Sequence, residues 1–190
     1  NMDLGISNKT ALVLGAGGGL GAAIAKALAA EGARLALADR DADALLSTQR
    51  AVAGHGVRAM SLTWDLSDLA AIDANVSRIE AELGGVDILV NNTGGPPPAP
   101  AAGQDAAVWQ AHFQSMVVPV IKITDRVLPG MRAKRWGRIV TSTSSGVVAP
   151  IPNLGISNAL RMALVGWSKT LAREVGKEGI TANVVLPGRI

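Results

Sequence analysis

The chain has 190 residues, is 48% hydrophobic, 17% charged and 3% aromatic, and contains neither cysteine nor tyrosine. That length predicts a single domain over residues 1–190, able to bury roughly 70% of the surface its unfolded chain exposes; the composition excludes disorder, disulfide frameworks and thiolate chemistry. A formal charge of +3, with one dense basic stretch (Arg126, Arg132, Lys134, Arg135, Arg138) whose only aromatic is Trp136, argues against nucleic acid and reads as a solvated helix end.

Short apolar runs alternate with longer helical ones along the whole chain. Thr10–Leu14 predicts a strand, and Leu20, Ile24 and Leu28 then recur at helical spacing. A second strand is expected at Arg34–Ala38 and a helix through Asp41–Ala53. Val57–Thr63 reads as a strand and Ser67–Leu83 as a helix with Ser67 as its N-cap. Val86–Val90 is a short buried strand between glycine and asparagine pairs. The run Pro96-Pro97-Pro98-Ala99-Pro100 is a stiff connector that also suits the rim of a ligand crevice. Arg138–Ser142 and Ile180–Leu186 complete the strands, separated by a helix whose apolar face is Leu160, Leu164, Trp167 and Leu171. Strands apolar on both faces with intervening helices predict an α/β fold: a doubly wound parallel sheet in three layers. No apolar run approaches the ~20 residues of a membrane span, and no signal peptide opens the chain, so the expected setting is cytoplasmic. His55 and His112 are too few and too far apart to suggest a metal site.

Between the first strand and helix lies Gly15-Ala16-Gly17-Gly18-Gly19-Leu20-Gly21, which fits G-x-x-x-G-x-G at Gly15, Gly19 and Gly21. Glycines here permit a tight turn and let backbone approach a pyrophosphate, while the helix N-terminus offers N–H groups to the phosphates. Asp39 ends the second strand roughly 20 residues on, where a carboxylate accepts ribose hydroxyls. Its charge disfavours a 2′-phosphate and so favours NAD over NADP, although neighbouring Arg40 can pair with that phosphate.

Taken in order, the glycine loop, Asp39, Asp65-Leu66, Asn91-Asn92-Thr93-Gly94, Gly137-Arg138-Ile139-Val140 leading to Ser144, and Pro187-Gly188 resemble the short-chain dehydrogenase/reductase family. The likeness is to its 3-oxoacyl-carrier-protein-reductase-like members and runs along essentially the whole chain. The resemblance implies a Rossmann-like fold, a dinucleotide cofactor and a homodimer or homotetramer formed through helices around Met116–Met131 and Ile156–Val175. It implies that Asp65 and Leu66 flank the adenine, that Asn92, Thr93 and Gly94 line the ribose, and that Pro187 and Gly188 approach the nicotinamide. It also implies a last strand and a substrate lid beyond Ile190.

The family's chemistry uses a serine, a tyrosine, a lysine four residues later and an asparagine on the preceding helix. Ser144 falls on the serine position, Ser157 on the tyrosine, Arg161 on the lysine and Met116 on the asparagine. A serine hydroxyl is a far poorer acid than a phenol, and arginine stays protonated, though it can still grip ribose hydroxyls or face an oxyanion. His112 stands one turn before Met116 and reads as a surface or interface residue. The resemblance therefore predicts an NAD(P)-dependent oxidoreductase of a small carbonyl or alcohol substrate, its proton supplied by Ser157 or by a water held by Ser144 and Arg161. The alternative is a dinucleotide-binding sensor or partner subunit without turnover.

Overall fold

The computed structural model describes residues 3–188. Its elements run β1 (Thr10–Leu14), α1 (Gly19–Ala30), β2 (Arg34–Asp39), α2 (Ala42–Ala53), β3 (Ala59–Thr63), α3 (Ala71–Leu83) and β4 (Ile88–Asn91). They continue with α4 (Ala106–Met116), α5 (Val118–Lys134), β5 (Gly137–Ser142), α6 (Gly155–Val175) and β6 (Ile180–Val185). The strands form one sheet in the order β3-β2-β1-β4-β5-β6, and every neighbouring pair is parallel. This is the doubly wound Rossmann-like architecture expected from the alternating runs.

Period-two alternation within buried strands assigns the two cores. Ala11 and Val13 of β1 join Leu35 and Leu37 of β2 under α1 and α2, through Ala25, Ala29, Leu45 and Val52. Leu12 and Leu14 face the other way, into a larger core with Val76 and Ile79 of α3, Ile123 and Val127 of α5, and Leu171 and Val175 of α6. A third cluster joins Met116 to Val120 of α5 and to Ile156, Leu160 and Leu164 of α6. The chain leaves β1 towards β2 on one side, whereas β4 lies on the other, so a crevice opens where the connections diverge at the strands' carboxyl ends.

Three local expectations are corrected. Helix α3 begins at Ala71, not Ser67, because Ser67 donates its N–H and hydroxyl to Asp65, and Ala70 its N–H to Asp68, in successive side-chain turns. The span Met116–Met131 is not one helix: it breaks at Val117, since Pro119 in the next turn has no N–H for the Ser115 carbonyl. The basic stretch is partnered rather than merely solvated. Arg126 bonds Asp73 and Glu80, Arg132 bonds Glu178, Lys134 bonds Asp87, and Arg138 lies over Trp136 opposite Lys9. The expected last strand and lid fall outside the described residues.

Candidate functional site

Helix α1 starts at a bend that only glycine fits. Gly15 has φ +64°, and a Cβ there would stand 2.7 Å from the Asn92 carbonyl oxygen and 2.8 Å from its Nδ2. A Cβ on Gly21 would strike the Gly15 carbonyl, whereas one on Gly19 would meet nothing and point into open space. Gly18 caps α1 without any side-chain hydrogen bond. The positive end of the helix and its first-turn N–H groups are thus presented to the crevice.

Strand ends bring acidic and amide groups to the same opening. Asp39 receives the Gly17 N–H on Oδ2 at 3.0 Å and the Asp41 N–H on Oδ1 at 3.1 Å, while its carbonyl accepts from Trp64 N–H at 2.8 Å. Asp65 receives both the hydroxyl and the N–H of Ser67, at 2.7 and 2.9 Å. The Ser67 hydroxyl first, then its N–H, holds the Asp65 carboxyl below its ordinary value, with Arg40 assisting through its charge. Asn92 Nδ2 donates to the Leu14 carbonyl at 3.3 Å, joining the turn after β4 to the end of β1.

These groups line one cleft of about 520 Å³. It is bounded by Gly15, Gly18, Gly19, Leu20 and Gly21, by Asp39, Arg40, Asp65 and Leu66, and by Asn92, Thr93 and Gly94. Gly17 stands behind the wall, spending its N–H on Asp39. Pro187 lines a neighbouring apolar groove with Leu20, Ile24 and Val140. The Pro187 carbonyl also accepts from Ser145 N–H at 3.0 Å, which brings Pro187-Gly188 beside Ser144.

The three residues matched to proton transfer are not among those that line this cleft: they form two small groups beside it, Arg161 Nη2 reaching its edge at Gly95, where a Cβ would stand 3.1 Å away. Ser144 ends the approach from β5, its hydroxyl accepting the Gly146 N–H at 3.1 Å. Ser157 is buried on the first turn of α6, and Arg161, one turn on, donates Nε–H to the Ser157 hydroxyl at 3.2 Å. Burial alone pulls the Arg161 guanidinium below the ordinary arginine value. The proline-rich segment is tied to the start of this helix. Ala99 donates its N–H to the Asn153 carbonyl at 2.8 Å and its carbonyl accepts Gly155 N–H at 3.1 Å.

Several lining residues were not anticipated. His112, expected at a surface, faces the cleft with Ser115 and Met116, because α4 crosses beside the β4 turn. Trp64 also lines it, with its indole N–H buried and unpartnered among the described residues. An indole next to the Asp65-Leu66 pair is a signal the sequence does carry.

The short chain dehydrogenase family pattern matches residues 9–190. The 3-oxoacyl-acyl-carrier-protein reductase of Escherichia coli is 37% identical over 192 residues, covering 98% of this chain and 75% of the relative. The crystal structure of L-sorbose reductase from Gluconobacter frateurii, complexed with NADPH and L-sorbose, superposes with a TM-score of 0.93 at 36% identity, covering 98% of this chain and 72% of that one. An NAD⁺-bound xylitol dehydrogenase superposes with a TM-score of 0.89 at 29% identity, covering 96% and 71%.

Proposed function

Because the chain belongs to the short chain dehydrogenase family, we propose that it is an oxidoreductase interconverting a carbonyl compound and its alcohol with a nicotinamide dinucleotide, NAD in preference to NADP. The observation that carries this reading is the single cleft on which the α1 N-terminus, Asp39 and Asn92–Gly94 converge. The cleft fits such a group: Gly19 leaves open the space a pyrophosphate needs, and donors and carboxylates occur in the order phosphate, ribose, adenine. The dinucleotide, when bound, supplies the hydride chemistry.

The chain's own residues divide the remaining work. First-turn N–H groups of α1 hold the pyrophosphate, and Asp39 accepts the adenosine ribose hydroxyls with the lone pairs that Gly17 and Asp41 leave free. Asp65 and Leu66 flank the adenine, Asn92, Thr93 and Gly94 the ribose, and Pro187 and Gly188 the nicotinamide. Ser144 donates to the substrate oxygen. Ser157, or a water between Ser144 and Arg161, moves the proton. A 3-oxoacyl compound is the first substrate class to try, given the similarity to the Escherichia coli reductase.

The lack of any tyrosine favours a second reading, a dinucleotide-binding sensor or partner subunit without turnover. Consumption of NADH against a panel of β-ketoacyl and simple carbonyl compounds separates the two: turnover supports the enzyme, and binding of NADH without turnover supports the sensor. We further assign a homodimer or homotetramer built through α5 and α6, and a cytoplasmic setting. Among the described residues no helix is long and apolar enough to cross a membrane.

A further inference from the structure

Five basic side chains in the described residues are half-buried: Lys9, Arg34, Arg126, Arg138 and Arg161. Four of them meet an electron-rich partner. Lys9 and Arg138 lie 4.4 Å from the Trp136 ring centre, Arg34 donates to the Asn8 carbonyl, and Arg126 is gripped by Asp73 and Glu80. Arg161 alone among them meets neither carboxylate, carbonyl nor aromatic face. Its single hydrogen bond goes from Nε to the neutral Ser157 hydroxyl, and both terminal amino groups lack an acceptor among the described residues.

A guanidinium taken partly out of water without a counter-charge is costly, and the cost is relieved by an anion. Arg161 has donors only, and the Ser157 hydroxyl, having accepted from Nε, keeps its own hydrogen to give. The pair is therefore an all-donor, positively charged group, complementary to an acceptor-only ligand. It is also reachable. Gly95 lines the cleft, and a Cβ there would stand 3.1 Å from Arg161 Nη2, so the missing side chain leaves the guanidinium open to that space. The two carboxylates on the cleft, Asp39 and Asp65, are engaged with Gly17, Asp41 and Ser67 instead.

We propose that the terminal amino groups of Arg161 anchor the carboxylate of the substrate, so that the compound handled here is an oxo acid or hydroxy acid rather than a neutral ketone, while the Ser157 hydroxyl keeps its hydrogen for the proton step. The inference rests on the oxidoreductase reading of the same cleft. A forked, planar guanidinium matches a carboxylate through two parallel hydrogen bonds, which a lysine ammonium does not. The carboxylate is held and not transformed. Phosphates of the dinucleotide have their own donors at the α1 N-terminus.

The test is calorimetric binding of pyruvate, acetoacetate and levulinate, each against its methyl ester, to the whole protein with and without saturating NADH. At least one acid is expected to bind about tenfold more tightly than its ester, the scale of one charge-assisted bidentate contact. Arg161→Met should erase that ratio and Arg161→Lys should keep part of it, with the thermal midpoint unchanged in both. Acid and ester binding alike in the wild type for all three pairs would overturn the anchor. So would an acid preference that survives Arg161→Met, or a loss of NADH affinity in Arg161→Met at an unchanged acid-to-ester ratio, which would make Arg161 a ribose ligand. Failure of the wild type to bind NADH would sink the oxidoreductase reading instead, and the acid-to-ester ratio of the NADH-free protein would still read the anchor.

Discussion

The Asp39 carboxylate is held by the glycine loop itself: Gly17 donates its N–H to Oδ2 at 3.0 Å. A Cβ on Gly17 would stand 3.1 Å from that oxygen and 2.8 Å from Ala44 Cβ, so the loop, the end of β2 and the start of α2 fit together only with glycine there. On the function proposed above, the group that would discriminate between cofactors is thereby positioned by the element that would bind their shared pyrophosphate.

NADH is accordingly expected to bind more tightly than NADPH, since an oriented carboxylate accepts ribose hydroxyls and repels a 2′-phosphate. Asp39→Ala should narrow the gap by about tenfold, equivalent to ~1.4 kcal/mol. Gly17→Ala should weaken NADH with less effect on NADPH, by displacing the same carboxylate. Fluorescence titration of both cofactors reads all three proteins, and equal affinities in the wild type would remove Asp39 as the selector.

Two glycines of the loop, Gly19 and Gly21, should fail differently. Gly19→Val projects into open space, so the protein should keep its thermal midpoint and lose dinucleotide binding. Gly21→Ala drives a methyl into the Gly15 carbonyl and should destabilise the fold by about 1–3 kcal/mol. Denaturant titration beside calorimetry distinguishes them; a Gly19→Val protein that binds NADH normally would reduce the loop to a turn.

On the function proposed above, proton transfer is the weak point of the site, because the resemblance puts Ser157 where the family's tyrosine stands. Ser157→Tyr with Arg161→Lys should raise the reduction of a neutral ketone by part of the ~10²–10⁴-fold that a positioned general acid contributes. Ser157→Ala should cost little if water is the donor and most of the rate if the hydroxyl is. Steady-state NADH oxidation across the three proteins decides. A fast wild type with an inactive double variant would show that Ser157 and Arg161 are a working pair in their own right.

Away from the cleft, Arg126 clamps α3 to α5 through Asp73 and Glu80 at 2.6 and 2.9 Å. Its hydrogen bonds hold the Glu80 carboxyl below the ordinary value. A depressed carboxyl stabilises the fold above the unfolded pKa of about 4.3 and loses that contribution as pH falls through the native value. Glu80→Gln should therefore lower stability at pH 7 by up to ~1 kcal/mol, the range for exposed pairs. The difference from wild type should shrink as pH falls below about 4.3 and disappear only below the native Glu80 value, as thermal melts across that range would record.

The strands were legible because β1, β2 and β4 are apolar on both faces, and the phosphate loop because its glycines follow a strand directly. Ser67 misled because a serine after an aspartate serves a side-chain turn as readily as a helix cap. His112 was missed for a different reason: its helix was readable, but its approach to the β4 turn depends on how α4 docks. The isolation of Arg161 is likewise invisible in one dimension, since it depends on where the carboxylates of the described residues lie.

The contact between Gly15 and Asn92 bears on how this sequence can be recombined. The turn after β1 clears the turn after β4 only because one residue lacks a side chain and the other curls its amide back to Leu14. Neither position can drift alone, and their substitutions should be non-additive. A chimera with a relative, joined anywhere from α1 to β3, takes the two turns from different parents. Its success should depend on that one pairing more than on the overall similarity of the halves.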